Sequence, residues 1–175
     1  MITWPSLWRT LDRAARHALP ACLILLILLL ASVPLLLPDP GACRAAFVLN
    51  SVFFWTLYRP SALPAPVVLV LGLLLDLIGH SPLGLWAVLL LLNQAGVLAL
   101  RRTLTKQGFF VVWLTLAASM IGTSLLEYLT RSLLVLHLLP LMPVVIQAAI
   151  GILLYPLLAP PLIRAHRGAA APERA

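Results

Sequence analysis

The sequence predicts an all-α, polytopic integral membrane protein with six transmembrane helices and both termini in the cytoplasm. Three observations lead there. Apolar residues make up 62% of the 175 positions and charged residues only 10%, against about 25% charged in ordinary soluble domains. Mean hydropathy is +1.07, and the apolar residues are gathered into six runs separated by short polar or basic turns. The 12 Lys and Arg residues lie between those runs and form no single patch. The isoelectric point near 10.8 therefore does not point to nucleic acid.

The runs are Leu19 to Leu37, Ala45 to Leu57, Pro64 to Gly79, Leu83 to Leu100, Phe109 to Leu126 and Leu141 to Ile163. A spanning helix needs roughly 17 to 25 residues, so runs one, four, five and six are long enough, and runs two and three are short. Short runs still cross where the bilayer thins to meet them. Charge placement decides that they do. With six crossings, Arg9, Arg13, Arg16, Arg59, Arg101, Arg102, Lys106, Arg164, Arg167 and Arg174 share one side, and only Arg44 and Arg131 face the other, as the positive-inside rule requires. Removing run two or three would strand Arg101, Arg102 and Lys106 outside.

Three stretches follow from this layout. Residues 1–17 form a cytoplasmic amphipathic N-terminal segment, because Trp4, Leu7, Trp8, Leu11 and Ala15 recur at helical spacing while Arg9, Asp12, Arg13 and Arg16 take other faces. Such a segment lies in the headgroup layer or contacts a cytoplasmic partner, and its charge alone would also serve as a leader that sets topology. Residues 18–163 form the six-helix transmembrane domain. Its first run is read as a retained anchor, since only Ala31-Ser32-Val33 resembles a cleavage site. Residues 164–175 are basic and alanine-rich without apolar periodicity, and are expected to be a disordered cytoplasmic tail.

The chemistry-bearing residues do not assemble into a reaction centre, and no catalytic, cofactor or metal site is expected. His17 and His166 sit in basic flanks and His80 and His137 in outer loops, none with metal-ligand or acid–base spacing. Cys22 and Cys43 lie near opposite ends of the first run, too far apart for a disulfide. On run five, Ala118 with Gly122 and Ser119 with Thr123 are small-xxx-small pairs, which favour close helix packing over an intramembrane nucleophile. The connections are too short to hold a soluble domain.

The most informative segment runs from Gly72 through Asp76, Gly79, His80, Ser81, Pro82 and Leu83 to Gly84. A carboxylate among leucines at bilayer depth costs about 2.5 to 3.5 kcal/mol on insertion scales, so it needs a partner or a position close to the interface. Gly72, Asp76 and Gly79 share a helical face, where glycines admit a second backbone. Ser81 is expected to cap the next helix with Pro82 at its first position. Asp76 would then accept hydrogen bonds from that helix start and fix the outer hairpin, with Arg131 or Arg44 as counter-charge. Glu127 and Arg131 are spaced as an i,i+4 ion pair.

Gly72-Leu-Leu-Leu-Asp76-Leu-Ile-Gly79-His80-Ser81-Pro82-Leu83-Gly84, preceded by Trp55, Tyr58 and Arg59-Pro60 and followed by an apolar helix and a basic loop, resembles the Asp-Leu…Pro-Leu-Gly region of the bacterial rod shape-determining protein MreD family. The resemblance implies a non-enzymatic inner-membrane component of the cell-elongation machinery. Its partners would be the bitopic protein MreC and a membrane glycan polymerase with its transpeptidase. It also implies a fold similar to the S-components of energy-coupling-factor transporters. The competing expectation is accordingly a vitamin-capturing S-component, which would need an outward pocket with several polar groups. Here the outer half offers Asp76, His80, Glu127, Arg131 and His137.

Overall fold

A computed structural model describes residues 21–30, 40–79, 81–137 and 139–170, the last of these as backbone only from residue 158. The amphipathic segment expected over residues 1–17 lies outside the described residues. The described elements are α1 (Ala21–Leu30), α2 (Pro40–Tyr58), a short 3-10 turn (Pro60–Ala62), α3 (Ala65–Gly79), α4 (Leu85–Leu104), α5 (Phe109–Val135) and α6 (Met142–Ala170). The fold is all-α, with no strand among the described residues. Of the six expected spans, α4 and α5 are long and apolar enough to cross a membrane, while Ala21–Leu30, Ala65–Gly79 and Met142–Leu157 are shorter apolar helices.

α2 is the central helix. Every residue from 48 to 57 is buried, which is the expected position for a helix that is apolar on all faces. Asn50, Ser51 and Thr56 are buried with it, and Thr56 Oγ1 has no hydrogen-bond partner. Asn50 Nδ2 donates to the Gly151 carbonyl at 3.0 Å and so ties α2 to α6, and Phe53 meets Tyr155 of α6 edge to face at 6.1 Å. Trp113 of α5 donates to the Ile152 carbonyl at 3.0 Å, closing the α5–α6 contact.

From α2 onward, successive helices run antiparallel and bring two sets of residues to opposite ends. At one end, Arg101 Nε donates to the Leu57 carbonyl at 2.8 Å, so the basic end of α4 is fastened to the last turn of α2. Nearby, Gln94 Nε2 donates to the Leu63 carbonyl at 2.7 Å, satisfying the exit from the 3-10 turn. At the other end lie the start of α2, the α3–α4 turn and the α5–α6 turn. There α5 closes on Leu136, which adopts the left-handed conformation with φ of 52°.

An apolar core is accompanied by large exposed apolar side chains and by buried polar ones. Leu77, Leu83, Leu92, Leu133 and Leu153 are exposed, whereas Asn50, Ser51, Thr56, Asp76, Gln94, Glu127 and Gln147 are buried.

Three element boundaries differ from the sequence expectation. α2 begins at Pro40, so the stretch expected as a loop up to Arg44 is helical. Pro40 suits a first helical position, and the small residues Ala42, Cys43, Ala45 and Ala46 extend the buried face past Arg44. α5 continues to Val135, which puts Arg131 on the helix beside Glu127. α6 runs to Ala170, beyond Ile163, where the sixth apolar run ends. Its Ala and Arg residues are strong helix formers, and lack of apolar periodicity does not offset that preference.

Candidate functional site

The site is built on the α3–α4 hairpin. α3 and α4 approach so closely that a Cβ placed on Gly72 would lie 2.4 Å from the Ala87 Cα and 2.6 Å from the Ala87 nitrogen. Only glycine fits there, and the contact sets the spacing of the two helices. One turn further along, Asp76 is fully buried and faces the start of α4. Gly84 N–H donates to its Oδ2 at 2.9 Å. Trp86 N–H donates to Oδ1 at 3.1 Å and Oδ2 at 3.2 Å.

Asp76 therefore caps a helix to which it does not belong. The free N–H groups at a helix start carry partial positive charge, and a carboxylate accepting from them forms charge-assisted hydrogen bonds. The same residue closes its own helix, because Ser81 N–H donates to the Asp76 carbonyl at 3.1 Å. One residue thus ends α3 and starts α4.

Three sequence expectations are corrected here. The N-cap of α4 is Gly84, with φ of 94° and no side-chain cap of its own, and the helix begins at Leu85. Ser81 and Pro82 lie in the turn before it. Glycine enters the left-handed region without steric cost, which lets the chain turn so that two of its N–H groups face Asp76. Among the described residues Asp76 has no ion pair: neither Arg131 nor Arg44, expected as its counter-charge, pairs with it, and Arg131 is engaged with Glu127. Gly79 admits no second backbone either: the nearest atom to a Cβ placed there is Ser81 Oγ, at 3.2 Å. Pro82 and Leu83 are exposed at the tip.

Arg131 Nη2 pairs with Glu127 Oε1 at 2.8 Å and also donates to Ser81 Oγ at 3.2 Å. The second carboxylate oxygen of Glu127 accepts from Gln147 Nε2 at 2.8 Å, and Gln147 reaches Ser124 Oγ at 3.3 Å. The i,i+4 pair is thus one link in a chain of contacts from the α3–α4 turn across α5 to α6. Trp86 joins the two halves, since its backbone serves Asp76 while the residue lines the cavity beside Glu127.

That cavity has a volume of about 350 Å³, and Arg44, Trp86, Glu127, Arg131 and Gln147 contribute to its wall. Arg44 enters because α2 starts early, and its Nε is buried without a hydrogen-bond partner. Sequence reasoning missed Trp86 and Gln147 as members of the site, and Arg44, expected beside Asp76, lines the cavity with Glu127 and Arg131 instead. The signal for Gln147 was a lone amide in an apolar run, and nothing local ties it to Glu127, 20 residues away. Among the described residues no group of three His, Cys, Asp or Glu side chains is placed to hold a metal ion. The arrangement can hold helices in register and present charge to a cavity at one end of the bundle.

No family model matches the chain, and neither a curated protein nor a solved structure matches it.

Proposed function

We propose that the chain is a six-span inner-membrane protein of the MreD kind. In this reading it is a non-enzymatic scaffold of the cell-elongation machinery that maintains rod shape through contacts with MreC and with the glycan polymerase and transpeptidase of lateral wall synthesis. The observation that carries the reading is the Asp76 cap on α4, which gives the MreD-like segment a physical task. It makes a hairpin whose tip, Pro82 and Leu83, is exposed.

The spanning topology is supported by the outward leucines and inward amides, because in lipid the polar groups must find partners within the protein. The antiparallel course of α2 to α6 also places Arg59, Arg101, Arg102 and Lys106 at the end opposite Arg44 and Arg131. Under this topology the first end is cytoplasmic and the Asp76 and Glu127 clusters face outward. Depletion in a rod-shaped host should give round cells with unchanged vitamin uptake. Normal rods after complete depletion would remove the proposal.

One observation favours a second reading. The 350 Å³ cavity carrying Arg44, Glu127, Arg131 and Gln147 falls in the size range of small-molecule sites, as an S-component would require. Gentle purification separates the two readings. Wall-synthesis proteins would accompany a scaffold, and an ATPase module with a bound vitamin would accompany a capture subunit.

A further inference from the structure

The cavity beside Glu127 carries one positive charge that the chain does not neutralise. Its charged wall residues are Arg44, Glu127 and Arg131. Glu127 is committed, with one carboxylate oxygen on Arg131 and the other on Gln147. Among the described residues Arg44 has neither an ion pair nor a hydrogen bond. Of its guanidinium nitrogens Nε is the one shut away, so the terminal NH2 groups stay reachable where the residue lines the cavity. Arg131 uses Nη2 for both Glu127 and Ser81, and its side chain is 37% exposed, which leaves Nη1 for another acceptor. The first turn of α6 adds Pro143 and Val144 to the wall, and a helix start carries partial positive charge.

We propose that this cavity binds the phosphate of an anionic phosphate ester, held by Arg44 from α2 and Arg131 from α5. One negative charge is what the cavity lacks. A tetrahedral phosphate offers oxygens in several directions and so meets guanidinium groups that come from two different helices, each through charge-assisted hydrogen bonds. The volume of about 350 Å³ falls in the range of ligand sites.

The rest of the wall fits the ester's carbon portion, because Leu75, Leu139 and Pro140 line it. Between the lining residues Pro140 and Pro143, the side chains of Leu141 and Met142 are exposed, so apolar surface continues past the cavity. That continuity favours a phospholipid headgroup as the source of the phosphate, with its acyl chains over the exposed side chains. The site itself needs neither functional reading given above; the lipid source rests on the spanning topology.

The test uses the full chain purified in dodecyl maltoside, with bound ligand counted by native mass spectrometry as phosphatidylglycerol, phosphatidylcholine or glycerol 3-phosphate is titrated. One phosphatidylglycerol per chain is expected, held more tightly than phosphatidylcholine, whose choline cancels the phosphate charge. Arg44→Gln should weaken it about tenfold, as loss of a charged hydrogen bond does, with helix content unchanged because Arg44 makes no bond within the chain. Arg44→Lys should retain most of the affinity, and Arg102→Gln, at the opposite end, all of it. Tighter binding of phosphatidylglycerol than of glycerol 3-phosphate assigns the site to a lipid, and equal binding assigns it to a soluble phosphate ester. No saturable binding of either overturns the inference. So does binding that Arg44→Gln leaves unchanged or that Arg102→Gln weakens equally. Recovery of wall-synthesis proteins plays no part in the titration, so failure of the scaffold reading would be seen separately.

Discussion

The carboxylate of Asp76 accepts the backbone N–H of Trp86, ten residues ahead of it in the chain, and so the end of α3 supplies the cap that the start of α4 lacks. Replacing it by Asn removes the charge and puts an NH2 group where an acceptor is needed. Hydrogen bonds to charged groups contribute about 1.5 to 3 kcal/mol, and Asp76→Asn should destabilise the folded chain by a comparable amount. Equilibrium unfolding in mixed micelles measures this. Unchanged stability together with unchanged recovery of partners would show that the cap does not hold the hairpin.

Gly72 and Gly151 give a paired test of backbone against side-chain contacts. A Cβ on Gly72 meets the Ala87 backbone, whereas one on Gly151 meets the flexible end of Met120 at 2.6 Å. Overpacking against a rigid neighbour costs about 1 to 3 kcal/mol. Gly72→Ala should fall in that range, and Gly151→Ala well below it because methionine repacks readily. The same unfolding assay reads both, and equal effects would mean that α3 and α4 are not held at this spacing.

Glu127 and Arg131 should be coupled. Arg131→Met leaves the Glu127 carboxylate, buried within the bundle, without its counter-charge and with the neutral donors Gln147 and Trp86 as side-chain partners. The loss should be about 1.5 to 3 kcal/mol, as for a charged hydrogen bond. The double variant Glu127→Gln/Arg131→Met should recover part of it, since the uncompensated charge is then gone. A double-mutant cycle gives the coupling directly. Strict additivity would show that the two side chains do not act as a pair.

Gln94 offers a prediction at the opposite end. Gln94→Leu leaves the Leu63 carbonyl without its donor, at a cost of about 1 to 3 kcal/mol for an orphaned buried acceptor. Hydrogen exchange around residues 60–63 should rise in that variant. Unaltered protection there would show that the α4 contact does not order the turn.

Much of the helical layout was legible because apolar runs and basic turns report length and spacing directly. The boundaries were less so. Arg44 interrupts the apolar run, yet α2 passes through it with small buried residues on either side, and counting from Ala45 hid the first turn. Asp76 stood out as an isolated charge between glycines. Its acceptor role was readable from the tightness of the turn, but the cap was misplaced on Ser81 because capping rules describe local side chains and not a carboxylate borrowed from the preceding helix. Gln147 and Trp86 could not be linked to Glu127 from sequence, since only tertiary packing brings α4, α5 and α6 together. Asn93 reads as one more amide in a leucine run, and its lack of a partner is visible only in three dimensions.

The proposed scaffold role depends on the topology, and paired reporter fusions, one active only outside the membrane and one only inside, examine it at two turns. Fused at Lys106, the inside reporter should be active, and fused at Leu136, the outside reporter. Activity of the outside reporter at Lys106 would contradict six crossings and place the Asp76 hairpin on the wrong face for wall synthesis.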